Sequence, residues 1–112
     1  MASQHDSFAI VPREEVFAIA KKFKEHLEKL GIAVKKMYLY GSYAKNNPQY
    51  GSDIDLCIIS PNFHDRIEAN FFLGREAIKI DSRIETVAYS PEKFEDWIPL
   101  VWEIQQTGIE VN

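Results

Sequence analysis

The stretch Gly41-Ser42-Tyr43-Ala44-Lys45-Asn46-Asn47-Pro48-Gln49-Tyr50-Gly51-Ser52-Asp53-Ile54-Asp55-Leu56 decides how this chain folds and where its chemistry lies. Ahead of it, Lys36 to Tyr40 is short, aromatic and β-prone. At its end, Ile54 to Ile59 is a nearly continuous apolar run closed by Ser60-Pro61, as expected of a central strand covered on both faces. Between the two strands, Gly41-Ser42 supports a tight turn, Tyr43 to Lys45 predicts a helical turn, and Asn46 to Gly51 reads as a polar loop.

Outward from this centre, the pattern alternates helix and strand. Pro12 suits a first helical turn, and Val16, Ala20, Phe23, Leu27 and Leu30 recur at four- and three-residue steps before Gly31 stops the helix. Lys21, Lys22, Lys24 and Lys29 fall on its solvated side. Phe63 to Ile80 reads as a second helix with Ile67, Phe71, Ala77 and Ile78 as its apolar positions, and Ile84 to Tyr89 as a third strand. Ser90 as N-cap and Pro91 at the first position open a last helix, with Phe94, Trp97, Val101 and Ile104 as its stripe, Pro99 as a kink and Gly108 as its end. The expected fold class is α/β: one domain over 1–112, with 1–11 an N-terminal lead, and a small mixed β-sheet packed with α-helices.

Composition narrows the function. The chain has 112 residues, 46% of them hydrophobic, and a formal charge of −4. Residues 1–50 carry eight bases and five acids, residues 51–112 five bases and twelve acids, so the halves stand at +3 and −7. A surface that grips an extended nucleic acid is usually strongly basic, which argues against that partner and leaves small anionic ligands. The longest apolar runs, Ile98 to Trp102 and Leu56 to Ile59, are far shorter than the roughly 18 residues of a membrane span. MASQHDSFAIVP lacks a secretory pattern, so a cytoplasmic location is expected. Cys57 is the only cysteine, which excludes an internal disulfide, and no zinc-ligand spacing is present.

Three groups of residues point to chemistry. Gly41 and Ser42 follow a strand and open a helical turn whose first amides face outward, a place for phosphate oxygens, and Lys45 adds charge one turn on. Strand alternation puts Asp53 and Asp55 on one face while Ile54, Leu56 and Ile58 turn to the core. Adjacent carboxylates repel, and an oxygen-only pair is best compensated by Mg²⁺ or Mn²⁺. Sites that transfer phosphoryl or nucleotidyl groups commonly clamp two such ions, which calls for a third carboxylate. Glu85, an acid on the same face as Val87 and Tyr89, is the expected one; Asp81 competes but precedes the strand in a turn.

Gly41-Ser42, ten intervening residues, then Asp53-Ile54-Asp55 resembles the signature of the nucleotidyltransferase superfamily that includes DNA polymerase beta and kanamycin nucleotidyltransferase. The chain is most similar to its minimal nucleotidyltransferases, the MNT proteins. Ala44 and Lys45 fit the small and basic positions after Gly-Ser, Ser52 fits the residue before the acids, and Asp81 to Glu85 resembles the third-carboxylate strand. Glu103 to Val111 is like the usual C-terminus, so the likeness runs from about Lys36 onward. Two departures stand out: Asn46 where Gly is frequent, and Glu85 where Asp is common. Asn is the non-Gly residue best suited to left-handed angles, so the turn is expected to survive.

The resemblance implies a nucleotidyltransferase fold and transfer of a nucleoside monophosphate, AMP from ATP, to a hydroxyl. Gly41, Ser42, Lys45 and Ser52 would hold the nucleotide, Asp53 and Asp55 two Mg²⁺ ions, and Glu85 the catalytic ion and the acceptor. It also implies a helical HEPN-type protein partner, a toxin whose tyrosine receives the AMP, with this chain as antitoxin. No further domain for an acceptor is expected within these residues, and a homo-oligomer stays open. Two other readings compete: a non-catalytic antitoxin that acts by occlusive binding, and an antibiotic-type nucleotidyltransferase acting on small molecules. Elsewhere, His5, His26 and His64 read as isolated and solvent-facing, Phe94, Trp97 and Trp102 most simply as core with a partner-binding helix face as the alternative, Cys57 as a buried hydrophobe, and Tyr38, Tyr40 and Tyr43 as packing residues by default with stacking on a base as the alternative.

Overall fold

Strand β2 (Ile54–Ile59) is the spine, and the computed structural model, which describes residues 9–112, surrounds it on every side. Strand β1 (Lys36–Tyr40) pairs with it antiparallel, β3 (Ile84–Tyr89) parallel, and the two-residue β4 (Ile109–Glu110) adds antiparallel to the far side of β1. The sheet order is therefore β3-β2-β1-β4, a mixed sheet. The apolar run of β2 follows from this place, because both of its faces are covered. Ile54, Leu56 and Ile58 pack into one core, Cys57 and Ile59 into another.

Helices α1 (Arg13–Lys29) and α2 (Arg66–Ile78) cover the first face, and α3 (Pro99–Thr107) the second. In α1, Val16, Ala20, Phe23 and Leu27 are fully buried as the periodicity predicts, while Leu30, at the C-cap, is half exposed. Glu14 and Glu15 in its first turn and Lys29 in its last suit the helix dipole. Of the expected N-terminal lead, Val11 is buried, and its amide donates to the Tyr43 hydroxyl at 3.0 Å. Residues 1–8, His5 included, lie outside the described residues.

The second helix departs from the expected one in extent and in face. Asp65 caps it, accepting from the amides of Ile67 and Glu68, so it begins three residues later than read. Ala69, Leu73 and Ala77 pack into the core and Glu76 is buried beside them, whereas Ile67, Phe71 and Ile78 point to solvent. Alanines on the inner side let the helix come close to the strands, and the larger apolar residues are left outside.

The last helix also differs. Pro91–Lys93 forms only a 3-10 turn, the Ser90 side chain makes no cap bond, and Pro99 starts α3 at its first position instead of kinking it. Val101 and Ile104 are buried and Phe94 is half-buried, stacked on Tyr38. Trp97 and Trp102, expected in the core, are 73% and 56% exposed. Starting the helix at Pro99 rather than Ser90 removes Trp97 from the helical stripe. No helix among the described residues is long and apolar enough to cross a membrane.

His26 corrects a further expectation, since it is not isolated. Its Nε2 donates to Glu76 Oε1 at 2.8 Å and joins α1 to α2, and Lys79 adds a second bond to Glu76 at 3.1 Å. These hydrogen bonds, that from His26 first, hold the Glu76 carboxyl below the usual range. A lowered folded value means that the stabilisation is complete above the unfolded value, about 4.3, and is lost as pH falls through the folded one. Glu76→Gln is expected to lower the melting temperature at pH 7 and to flatten its decline between pH 5 and pH 3, which melts across that range will show.

Candidate active site

The turn after β1 and the start of β2 meet at one end of the sheet. Gly41 leaves β1 with φ +76, and its carbonyl accepts from the Lys45 amide at 3.1 Å, so residues 42–46 make the expected helical turn. Asn46 closes it at φ 58, the one described non-Gly residue with positive φ. It therefore takes the backbone state that Gly would otherwise supply. Tyr43 and Ala44 anchor the turn in the core, leaving the half-buried Gly41 and Ser42 at its open side. Gly41 also abuts the acids, because a Cβ there would run into the Asp55 carboxylate.

Asp53 stands exposed immediately before β2, and Asp55 is half-buried one residue inside it. In register, Asp55 lies between Tyr40 of β1 and Glu85 of β3. Parallel pairing of β2 with β3 thus brings Glu85 beside Asp55, on the face shared with Val87, Tyr89 and α3. Asp81 is elsewhere engaged: in the turn before β3 it takes a bidentate pair of bonds from Arg83, at 2.9 and 2.7 Å. Ser52 serves the loop, its hydroxyl oxygen accepting from the Gln49 amide at 2.8 Å in the turn that delivers Asp53.

The electrostatics are those of crowded anions. Burial raises the Asp55 carboxyl to about 6, and Asp53, Glu85 and Glu103 add repulsion in that order. Tyr40 beside it is also pushed up, by burial first and then by Asp55. Glu103, on α3, is the acid that sequence reasoning missed as part of this group. It pairs with Lys45 at 3.3 Å, so the lysine expected at the nucleotide stands at the edge of the acid cluster. The hint in the sequence is that Glu103 opens the stretch to Val111, which resembles the usual C-terminus.

The chemistry of Asp53, Asp55 and Glu85, oxygen donors only, suits a hard divalent cation, and the repulsion at Asp55 is what such a cation would relieve. Among the described residues no three His, Cys, Asp or Glu side chains are already gathered to hold a metal ion. Asp55 and Glu85 are therefore neighbours in register, with Asp53 just ahead of β2, rather than parts of a closed cage. Cys57, two residues on, takes no part: it is buried and its thiol is pushed up to about 12 by that burial.

Comparison with known proteins bears on the fold and the family. A protein of Sulfolobus solfataricus assigned as a nucleotidyltransferase superposes with TM-score 0.65 at 14% identity, covering 98% of this chain and 90% of that one. A toxin-antitoxin structure with AMP-PNP gives TM-score 0.63 at 22% identity over 86% of this chain and 72% of that one. A mutant of the toxin-antitoxin MntA-HpeT gives TM-score 0.60 at 21% identity over 83% and 71%. At such identities the likeness is one of fold. Among curated protein sequences none matches the chain. The family model of the nucleotidyltransferase domain matches residues 20–105, a span that takes in the Gly-Ser turn, both aspartates and Glu85, and the chain belongs to that family.

Proposed function

We propose that the chain moves AMP from ATP onto a hydroxyl of a partner protein, a tyrosine of a HEPN-type toxin, and so acts as an antitoxin in the cytoplasm. The observation that carries this reading is the pairing of Asp55 with Glu85, with Asp53 adjacent and the Gly41-Ser42 turn against the Asp55 carboxylate. Family membership supports the reaction class. The likeness to toxin-antitoxin structures, one of them with AMP-PNP, supports the setting and the choice of ATP.

The amides of the Gly41-Ser42 turn and the Ser42 hydroxyl would bind the β and γ phosphates, with Lys45 exchanging Glu103 for phosphate. Asp53, Asp55 and Glu85 would hold the two Mg²⁺ ions, which would neutralise charge on the triphosphate and so lower the barrier to its displacement. The acceptor oxygen attacks the α-phosphorus and forms a P–O bond as the bond to the bridging oxygen breaks. Pyrophosphate leaves with that electron pair, and the hydroxyl proton passes to Glu85 or to water. In this scheme the chain contributes position and charge compensation, with no covalent intermediate.

Mass spectrometry of the purified chain with its co-expressed partner and Mg·ATP tests this. The partner should gain one or more AMP units, and chelation of Mg²⁺ should prevent it. An unchanged mass on both chains contradicts the proposal.

A further inference from the structure

The exposed side of α2 and the free edge of β3 enclose a groove of about 620 Å³ that reaches Glu85. It is lined by Phe71, Gly74, Arg75 and Ile78 on the helix and by Ile84, Glu85 and Thr86 on the strand. β3 is an edge strand, and Asn70 closes that edge only at its far end, its side chain accepting from the Ala88 amide at 3.2 Å. The end nearer Glu85 faces the groove.

Three large apolar side chains crown this side of the helix. Ile67, Phe71 and Ile78 are 72%, 74% and 70% exposed, and their spacing of four and seven residues sets them on one face. None of them is needed for the core, which α2 meets through Ala69, Leu73 and Ala77. Gly74 lies between Phe71 and Ile78, and a Cβ there would meet nothing within 4 Å, so the stripe carries a notch open to solvent. Arg75, beside the notch, is 68% exposed at its side chain and reaches Glu76 only at 4.0 Å, so its guanidinium keeps donors for a partner. Side chains of this size at this exposure mark a surface meant to be covered.

We infer that this groove is the docking surface of the acceptor protein, resting on the proposed transfer to a protein hydroxyl. The stripe from Ile67 to Ile78 is about 16 Å long at 1.5 Å per residue, which suits a polypeptide segment and exceeds a small metabolite. Glu85, the acid proposed to take the acceptor's proton, lines the groove, so a molecule that brings the hydroxyl is the occupant that fits it. A second copy of this chain seated there would cover that acid and exclude the acceptor. The fitting partner presents an apolar helix side to Ile67, Phe71 and Ile78, a protruding side chain to the notch at Gly74, and a carboxylate to Arg75. Docked so, it holds its acceptor segment along the open edge of β3 toward Glu85.

The test uses the polypeptide that gains AMP in the mass experiment, purified, with Phe71→Glu/Ile78→Glu as the variant. The variant should raise the acceptor KM at least about tenfold, leave kcat at saturating acceptor within about twofold, and bind a non-transferable ATP analogue with Mg²⁺ as the parent does. An unchanged KM overturns the assignment, and so does a parent dimer in light scattering that the variant splits. Hydrogen exchange on the parent protein gives an independent reading should the variant fold poorly. The acceptor should slow exchange across residues 66–78, and unchanged exchange there overturns the inference. If no polypeptide accepts AMP from the parent, the proposed function itself fails and this inference with it; a labelled acceptor indifferent to α2 defeats the docking surface alone.

Discussion

Asp55→Asn is expected to cut nucleotide transfer roughly a thousandfold and at the same time to raise the melting temperature of the metal-free protein. The first effect follows from removing the proposed metal-binding carboxylate between Tyr40 and Glu85, a loss of about 4 kcal/mol in transition-state stabilisation, or roughly a thousandfold in rate. The second follows from burial and repulsion by Asp53, Glu85 and Glu103, which lift the Asp55 carboxyl from 3.8 to about 6. A folded value above the unfolded one means that ionisation costs the fold. The cost is absent below pH 4, grows between pH 4 and 6 and is complete above. Two pKa units correspond to about 3 kcal/mol, and solvent screening at this half-buried site reduces that to about 1 kcal/mol. A rise of a few degrees at pH 7 and none at pH 3.5 is expected by calorimetry. Mg²⁺ should reverse the order by stabilising the parent and leaving the variant unmoved. A variant less stable than its parent without metal at pH 7 contradicts the crowded-anion account. The same variant separates catalysis from occlusion, because a catalytic antitoxin should bind its partner and no longer neutralise it.

Gly41→Ala should damage both fold and activity through one contact. At φ +76 any L side chain is strained by about 1 kcal/mol, and the new methyl would also strike the Asp55 carboxylate. Forcing that carboxylate aside adds about 1–3 kcal/mol, so denaturant melts should show a loss of about 2–4 kcal/mol. Transfer should fall at least about a hundredfold, since Asp55 can stay in place only if the turn moves. The clash predicts coupling: Asp55→Ala removes the struck atoms, and Gly41→Ala should then cost only its backbone strain. Additive losses in the double variant would show that the two residues do not touch.

Much of this site is legible in the sequence, and the reasons are local. A strand covered on both faces needs an unbroken apolar run, so Ile54 to Ile59 is recognisable, and the two-residue period fixes Asp53 and Asp55 on the face opposite Ile54, Leu56 and Ile58. Glu85 is found as a charge on an otherwise apolar strand face. What the sequence does not disclose depends on how elements approach one another. The inner side of α2 is built on Ala69 and Ala77, which carry less hydrophobic signal than the outward Ile67, Phe71 and Ile78, so apolar strength points to the wrong face. Glu76, a charged residue, faces inward because His26 on another helix meets it. Glu103 joins the acids only because α3 crosses that face of the sheet, and reading Pro99 as a kink rather than a start obscures where that helix begins.

The most direct measurement is anomalous diffraction from crystals grown with Mn²⁺ and a non-transferable ATP analogue. The account predicts manganese peaks bounded by the carboxylates of Asp53, Asp55 and Glu85, with the β and γ phosphates on the amides of Gly41 and Ser42. Manganese bound away from these three side chains, or Glu85 turned from the metal while nucleotide is present, would contradict it.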